Sequence, residues 1–458
     1  MLAYRALRGF LRLVVSCFFR NVEVVGLENI PQEGGVIFAG NHPNSLIDPV
    51  LVITQSNRPV HFAAKDVLFK SRFLRFFLTR LGAVPIRRRK DHKDKLGEGG
   101  KSLDNSAAFD ALFEILADGK CMGIFPEGIS HSKSQLTDFK TGAARIALGV
   151  REQYPDSTLS IVPVGLTYLH RHRVRSQVLL HFGEAIPVTD ERVEDWKKEP
   201  KQASKELTER LEMALRGLTI NAPDWEMMRV LHTARRLYKP NDVRLSLEEY
   251  AELTRRFAEG YLRAPEGHPV HQLKDELVEY QEGLDDLQLR DHDLLRELSM
   301  GEMFKRLLYR FGYVLFLLPL AIPGVVIHFP IIFSAVLAGD RLTAKKDVVA
   351  TTKLVVSILT VPAMYLAMAG AVWLFASWQL SLFVLCWLPL TGYATLRVLE
   401  QHIALQKSLR SLTGLLRFRS RVEALCQMRI ELEQKLHEMV DDLHDPTIPR
   451  MFEGKPSP

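Results

Sequence analysis

The stretch Gly40-Asn-His-Pro-Asn-Ser-Leu-Ile-Asp-Pro49 places a histidine and an aspartate close together just after an apolar run, Gly35-Val-Ile-Phe-Ala39. A carboxylate that holds one imidazole nitrogen fixes the tautomer and stabilises the imidazolium, leaving the other nitrogen to remove a proton from a hydroxyl. If that hydroxyl belongs to a bound acceptor, no serine nucleophile is needed. A His and an Asp at this distance are by themselves more often structural than catalytic. Three further blocks give the pair its weight.

Gly82-Ala-Val-Pro-Ile-Arg-Arg-Arg-Lys90 runs from an apolar segment directly into permanently charged, fork-shaped guanidinium groups, which suit bidentate phosphate capture. The ordinary reading of such a run is a solvated charge cluster. Gly123-Ile-Phe-Pro-Glu-Gly-Ile-Ser-His131 sets Glu127 at another strand end, where burying a carboxylate is costly unless something bonds it: an acceptor hydroxyl or the arginines. Lys140, ahead of a helix expected to start near Gly142, offers a second phosphate contact beside a helix N-terminus. Ile161-Val-Pro-Val-Gly-Leu-Thr-Tyr168 reads as a packing strand.

These groups need a scaffold. Gly35–Ala39, Val60–Ala63, Met122–Phe125, Leu159–Pro163 and Val178–Phe182 read as buried strands, with helical segments such as Ser106–Ala117 and Gly142–Val150 between them. The expectation is an α/β layer, a mainly parallel sheet flanked by helices, followed by a C-terminal helical membrane region. His42 and Glu127 then fall at the carboxyl ends of strands, where open α/β sheets take their ligands.

The 458 residues divide into an amphipathic helix over 1–21, the α/β domain over 22–220, a charged helical connector over 221–304, a membrane region over 305–399 and an amphipathic helical tail over 400–458. In the first helix Arg5, Arg8 and Arg12 share a face, with Leu7, Phe10, Leu11 and Val14 largely away from it. That pattern suits a helix in the membrane interface with its arginines toward lipid phosphates, or one packed on its own domain. Residues 311–339 are uncharged apart from His328 but carry Pro319, Pro323, Gly324 and Pro330, with basic residues at both ends. A re-entrant segment or tight hairpin would satisfy the positive-inside rule there. Residues 354–375 and 380–396 then span out and back. The membrane protein so outlined carries its catalytic domain on the cytoplasmic face.

A net charge of +6 is modest for this length and gives no case for nucleic acid as a partner. Four scattered cysteines form no metal pattern, and no cofactor or metal is implied. A transporter would need polar groups within its spans, and these are nearly absent.

The four blocks, in this order, resemble the glycerolipid acyltransferase superfamily, which acylates glycerol-3-phosphate or lysophosphatidate. Members carry a His and Asp separated by four residues, a Gly…Ile/Leu-Arg-Arg block, a Phe-Pro-Glu-Gly block and a Val-Pro block. Here five residues separate His42 from Asp48. That spacing, Glu127-Gly-Ile-Ser-His131 and Tyr168-Leu-His-Arg-His172 are similar to the fungal-type glycerol-3-phosphate/dihydroxyacetone-phosphate acyltransferases. The resemblance covers about residues 23–190. It implies His42 as base, Asp48 as its orienter, and Arg87, Arg88, Glu127, Gly128 and Lys140 as acceptor-binding positions. It also implies an acyl thioester donor (acyl-CoA or acyl carrier protein), a glycerol-phosphate-type acceptor and a setting of membrane lipids. The rival readings are acylation of a lysophospholipid and a non-catalytic lipid-binding scaffold. Residues i and i+6 of a regular helix do not share a face, so Pro43 and Asn44 must form a loop for His42 and Asp48 to meet.

Overall fold

The computed structural model describes residues 2–86, 106–294, 300–341, 343, 346–443 and 449–452. The chain forms two compact units. One comprises Met1–Asn221 with Leu245–Arg255 and Lys345–Thr351; the other comprises Ala222–Arg244, Arg256–Ala344 and Thr352–Pro458.

The first unit opens with α1 (Leu2–Phe18), β1 (Phe19–Val25), β2 (Gly35–Gly40), α2 (Ile47–Gln55), β3 (Val60–Lys65), α3 (Arg72–Arg80) and β4 (Val84–Ile86). It continues with α4 (Ser106–Ala117), β5 (Cys121–Ile124), α5 (Gly142–Gln153), β6 (Leu159–Tyr168), β7 (Ser176–Phe182), β8 (Ile186–Pro187), α6 (Asp190–Lys198) and α7 (Pro200–Leu218). The strands make one sheet in the order β1-β7-β6-β2-β5-β3-β4, with β8 paired to β6. All neighbours are parallel except β6 with β7 and β6 with β8. The fold is thus the mainly parallel α/β layer that the apolar runs indicate.

Strand β2 lies between β5 and β6, parallel to both, and is buried along its whole length. Ile37, Met122 and Ile161 from these three strands join Leu112, Leu116, Ala144, Ala147, Leu148 and Leu211 from the covering helices in one core. Full burial of each Leu or Ile is worth roughly 1.5–3 kcal/mol. That rigidity fixes where the loops after β2 and β5 leave the sheet.

Helix α1 is amphipathic, and two of its arginines bond to backbone carbonyls at the end of α2. Arg12 Nε donates to the Thr54 carbonyl at 2.9 Å, and Arg8 donates to the Ser56 carbonyl. The last carbonyls of α2 have no partner within their own helix, and the guanidinium donors of α1 supply one. Tyr4, Leu7, Leu11 and Val15 are buried on the same unit.

The second unit takes α8 (Trp225–Tyr238), part of α9 (Leu247–Arg263), α10 (Val270–Asp286) and α11 (Asp291–Leu294), then α12 (Met300–Arg341), all but the first turn of α13 (Val349–Phe375), α14 (Trp378–Arg417) and α15 (Arg419–Leu443). Among the described residues, three helices are long and apolar enough to cross a membrane: Leu307–Gly339, Lys346–Phe375 and Trp378–Arg410. The re-entrant segment or tight hairpin expected over 311–339 does not form. Helix α12 is continuous through Pro319, Pro323 and Pro330. Each proline removes one backbone donor, yet in hydrocarbon a helix is still the arrangement that satisfies the remaining backbone groups. Gly324 allows close approach to α14: a Cβ there would lie 2.4 Å from the Thr391 carbonyl oxygen and from Thr395 Oγ1. Buried His328 is held within this bundle, Nδ1 donating to the Gly324 carbonyl at 2.7 Å and Nε2 2.8 Å from the Tyr365 hydroxyl.

Candidate active site

The loop after β2 solves the spacing problem set by His42 and Asp48. Pro43 and Asn44 leave the strand direction, Ser45 takes a positive φ of 45°, and the Asn44 carbonyl accepts the Ile47 N–H at 3.0 Å as α2 begins. Asp48 then sits in the first helical turn, where a carboxylate is favoured by the helix dipole. Pro49 occupies a first-turn position whose N–H would have no intrahelical partner, so the ring costs nothing there. The result is a contact of 2.8 Å between His42 Nδ1 and Asp48 Oδ2.

Asp48 is completely buried, and three protein donors meet it. Besides the imidazole, the Asn44 N–H donates to Oδ2 at 2.7 Å, and the Tyr168 hydroxyl donates to Oδ1 at 2.5 Å. Burial, then the charge of Asp48, raises the Tyr168 phenol well above its usual range, so it stays a neutral donor. The imidazole lies flat on Phe125, with ring centroids 4.0 Å apart and planes 4° apart. Phe125 is stacked in turn against Phe62 at 5.6 Å. With Nδ1 committed to the aspartate and the ring face held by Phe125, Nε2 is the nitrogen left for chemistry.

Glu127 leaves the neighbouring strand β5 and is also buried. Its Oε1 accepts the His42 backbone N–H at 2.9 Å, and its Oε2 accepts the Thr137 N–H at 3.0 Å, the Thr137 hydroxyl at 2.9 Å and His131 Nε2. His131 completes the link by donating its backbone N–H to the His42 carbonyl at 3.2 Å. Burial raises the Glu127 pKa, but the hydrogen bonds from His131, Thr137 and His42 outweigh it, and the carboxyl ends below its usual value. Both oxygens are therefore engaged by the protein itself. Glu127 ties the loop after β5 to the loop that carries His42.

Gly128 has a φ of +74°, and a Cβ there would lie 2.5 Å from Lys140 Nζ. The absent side chain lets the lysine reach back over this turn, which the Lys140 N–H closes by donating to the Pro126 carbonyl at 2.9 Å. Arg87 and Arg88 lie outside the described residues. The strand before them, β4, ends at Ile86 and pairs in parallel with β3. The structure thus brings together His42, Asp48, Glu127, Gly128 and Lys140. It adds Asn44, Phe125, His131, Thr137 and Tyr168, whose roles the sequence did not disclose. Tyr168, a polar residue closing an apolar strand, was the available signal.

A buried carboxylate holding an imidazole at the carboxyl edge of a parallel sheet is an arrangement suited to removing a proton from a hydroxyl. Comparison with known proteins gives that site its class. Residues 21–167 match the acyltransferase family model, and residues 230–448 match the model described as the glycerol-3-phosphate acyltransferase 2 C-terminal domain. The chain thus carries an acyltransferase domain followed by a C-terminal domain like that of glycerol-3-phosphate acyltransferase 2. It is homologous to glycerol-3-phosphate O-acyltransferase 2 of Saccharomyces cerevisiae, at 25% identity over 94% of this chain and 75% of that protein. Glycerol-3-phosphate O-acyltransferase 1 of the same yeast is 27% identical over 77% of this chain and 59% of that protein. A 1-acyl-sn-glycerol-3-phosphate acyltransferase of Borreliella burgdorferi is 27% identical over 36% of this chain and 58% of its own.

Proposed function

We propose that this chain is a glycerol-3-phosphate O-acyltransferase that moves a fatty acyl group from a thioester to a hydroxyl of glycerol-3-phosphate or dihydroxyacetone phosphate. The observation that carries the mechanism is the His42 imidazole held by Asp48 at 2.8 Å and stacked on Phe125. Nε2 takes the proton of the acceptor hydroxyl as its oxygen adds to the thioester carbonyl. The tetrahedral intermediate collapses, the carbon–sulfur bond breaks, and the thiolate takes the proton back from the imidazolium. No acyl-enzyme is formed. Base catalysis of this kind contributes about 10²–10⁴-fold, and positioning two substrates contributes roughly 7–11 kcal/mol in well-oriented systems.

Lys140 supplies a cation beside the Glu127–Gly128 turn, and Arg87 and Arg88 follow β4; we assign the acceptor phosphate to these groups. The acyl donor is acyl-CoA or acyl carrier protein, with its chain in the bilayer. The catalytic half faces the cytoplasm, where charged thioesters and phosphorylated acceptors are found. Labelling of exposed Cys17 by an impermeant maleimide only after cells are opened is the expected result, and labelling in intact cells contradicts this orientation.

The second reading, acylation of lysophosphatidate, has support from the Borreliella relative, whose likeness is confined to about a third of the chain. The match over residues 230–448 favours glycerol-3-phosphate. An acceptor panel with purified protein in detergent separates the two. Lysophosphatidate formed from glycerol-3-phosphate supports the first reading, and product from lysophosphatidate alone overturns it.

A further inference from the structure

The short segment that precedes α13 belongs to the catalytic unit, and two of its residues are spent on the loops that hold His42. It comprises the 3-10 turn Lys346–Val348 and the first turn of α13. Asp347 is 4% exposed, and its Oδ2 accepts the Ser130 hydroxyl at 2.5 Å. Thr351, one helical turn later and also buried, donates its hydroxyl to the Asn44 carbonyl at 3.4 Å.

Ser130 lies three residues beyond Glu127 and one before His131, in the loop after β5. Asn44 lies two residues beyond His42, in the loop after β2. These two loops are already joined by the Glu127 carboxylate and by the His131 N–H on the His42 carbonyl. Arg171 adds a third strut: its carbonyl accepts the Asn44 side-chain amide at 3.1 Å, and its guanidinium donates to the His131 carbonyl at 3.4 Å. Burial lowers the Arg171 pKa, and the charges of Asp48 and Asp347 oppose that shift. Asp347 therefore places a negative charge against the same cluster from a segment some 300 residues away in sequence from Asn44.

Burying a carboxylate is expensive, and a plain linker would achieve the same packing with an apolar residue. Here the carboxylate is used on Ser130, in the loop that fixes the His42 backbone. We propose that residues 347–351 clamp the two catalytic loops, and that Asp347 is a positioning residue for acyl transfer, acting through Ser130. The segment that leads into the second apolar helix is then part of the catalytic apparatus, and the C-terminal half is more than an anchor. This inference rests on the assignment of His42 as the base.

The test is a double-variant cycle on the full chain in detergent, with glycerol-3-phosphate as acceptor and rates normalised to monodisperse folded protein. Asp347→Ala is expected to lower kcat by roughly 10- to 100-fold, the scale set by misplacing a reacting group by about an ångström. The KM for the acceptor should stay within about twofold, which separates loss of positioning from loss of binding. Ser130→Ala should act similarly, and the double variant should be no worse than the stronger single one, because both remove the same bond. Multiplying effects in the double variant, an unchanged kcat for Asp347→Ala, or a loss confined to KM would overturn the clamp. His42→Ala, run alongside, tells the two readings apart: if it stays active the base assignment fails, whereas a dead His42→Ala with a multiplicative cycle removes the clamp alone.

Discussion

Asp48 and Asp291 are both buried, and both accept a tyrosine hydroxyl, from Tyr168 at 2.5 Å and from Tyr280 at 2.7 Å. In both cases burial and the neighbouring carboxylate raise the phenol, keeping it a neutral donor. The third partner differs. At Asp291 it is Arg429, itself buried, whose Nε donates to the carboxylate at 3.2 Å and whose Nη1 donates to Glu433 at 2.6 Å. Arg429 Nη2 reaches Asn241 at 3.5 Å. Charge meets charge there, and the guanidinium donors are spent on the protein. At Asp48 the partner is an imidazole with one nitrogen committed and one in reserve. The same Tyr–Asp pairing thus builds a closed joint in the helical half and, on the mechanism proposed above, a proton-transfer site in the α/β half. The side chain opposite the tyrosine decides which.

That contrast can be broken in three places, taken in order of expected effect on catalysis. Asp48→Asn removes the charge that orients the imidazole while leaving most of the shape. We expect kcat to fall by roughly 10³- to 10⁴-fold with folding intact, measured as acyl transfer to glycerol-3-phosphate. A loss below tenfold would mean that the aspartate is a joint, as at Asp291.

Glu127→Gln keeps the size of the loop organiser and removes its charge. We expect kcat to fall roughly 10- to 100-fold and stability at neutral pH to drop by about 1–3 kcal/mol. Because the folded Glu127 carboxyl sits below its usual value, its contribution is fully present above the unfolded pKa of about 4.3. It is lost as pH falls through the lower folded value, so the unfolding curves of the two proteins should converge in acid. A stability difference that persists below the folded pKa would show that the charge is not the cause.

Arg429→Met is the opposite case. It strands Asp291 in the interior and should cost about 3–5 kcal/mol of stability, with kcat per folded molecule unchanged. A selective loss of kcat would assign the helical half a catalytic task that this joint does not explain.

The sequence disclosed the two halves unequally. Strands β2, β3, β5, β6 and β7 could be read because buried parallel strands are uninterrupted apolar runs. Strand β1 carries Arg20, Asn21 and Glu23 on an edge of the sheet, and β4 and β8 are three and two residues long, so none of these has a run to recognise. His42 and Asp48 were visible as chemistry, whereas Tyr168 reaches Asp48 across 120 residues of chain, a distance at which spacing carries no information. In α1 the arginine face was legible, but the carbonyls of Thr54 and Ser56 that Arg12 and Arg8 meet lie some 40 residues on, where spacing names no partner. The prolines of α12, with basic residues at both ends, read as a turn, whereas a nonpolar setting tolerates prolines within a helix.

The most direct test of the account is the rate at which purified His42→Ala protein acylates glycerol-3-phosphate from an acyl thioester, compared with the parent chain at equal amounts of folded protein. The account predicts that acyl transfer falls to the level of the uncatalysed background while extraction from membranes and stability stay as in the parent. A variant that retains more than about a tenth of the parental rate would contradict it, since the loss of a general base at the reacting hydroxyl is worth at least about 10²-fold.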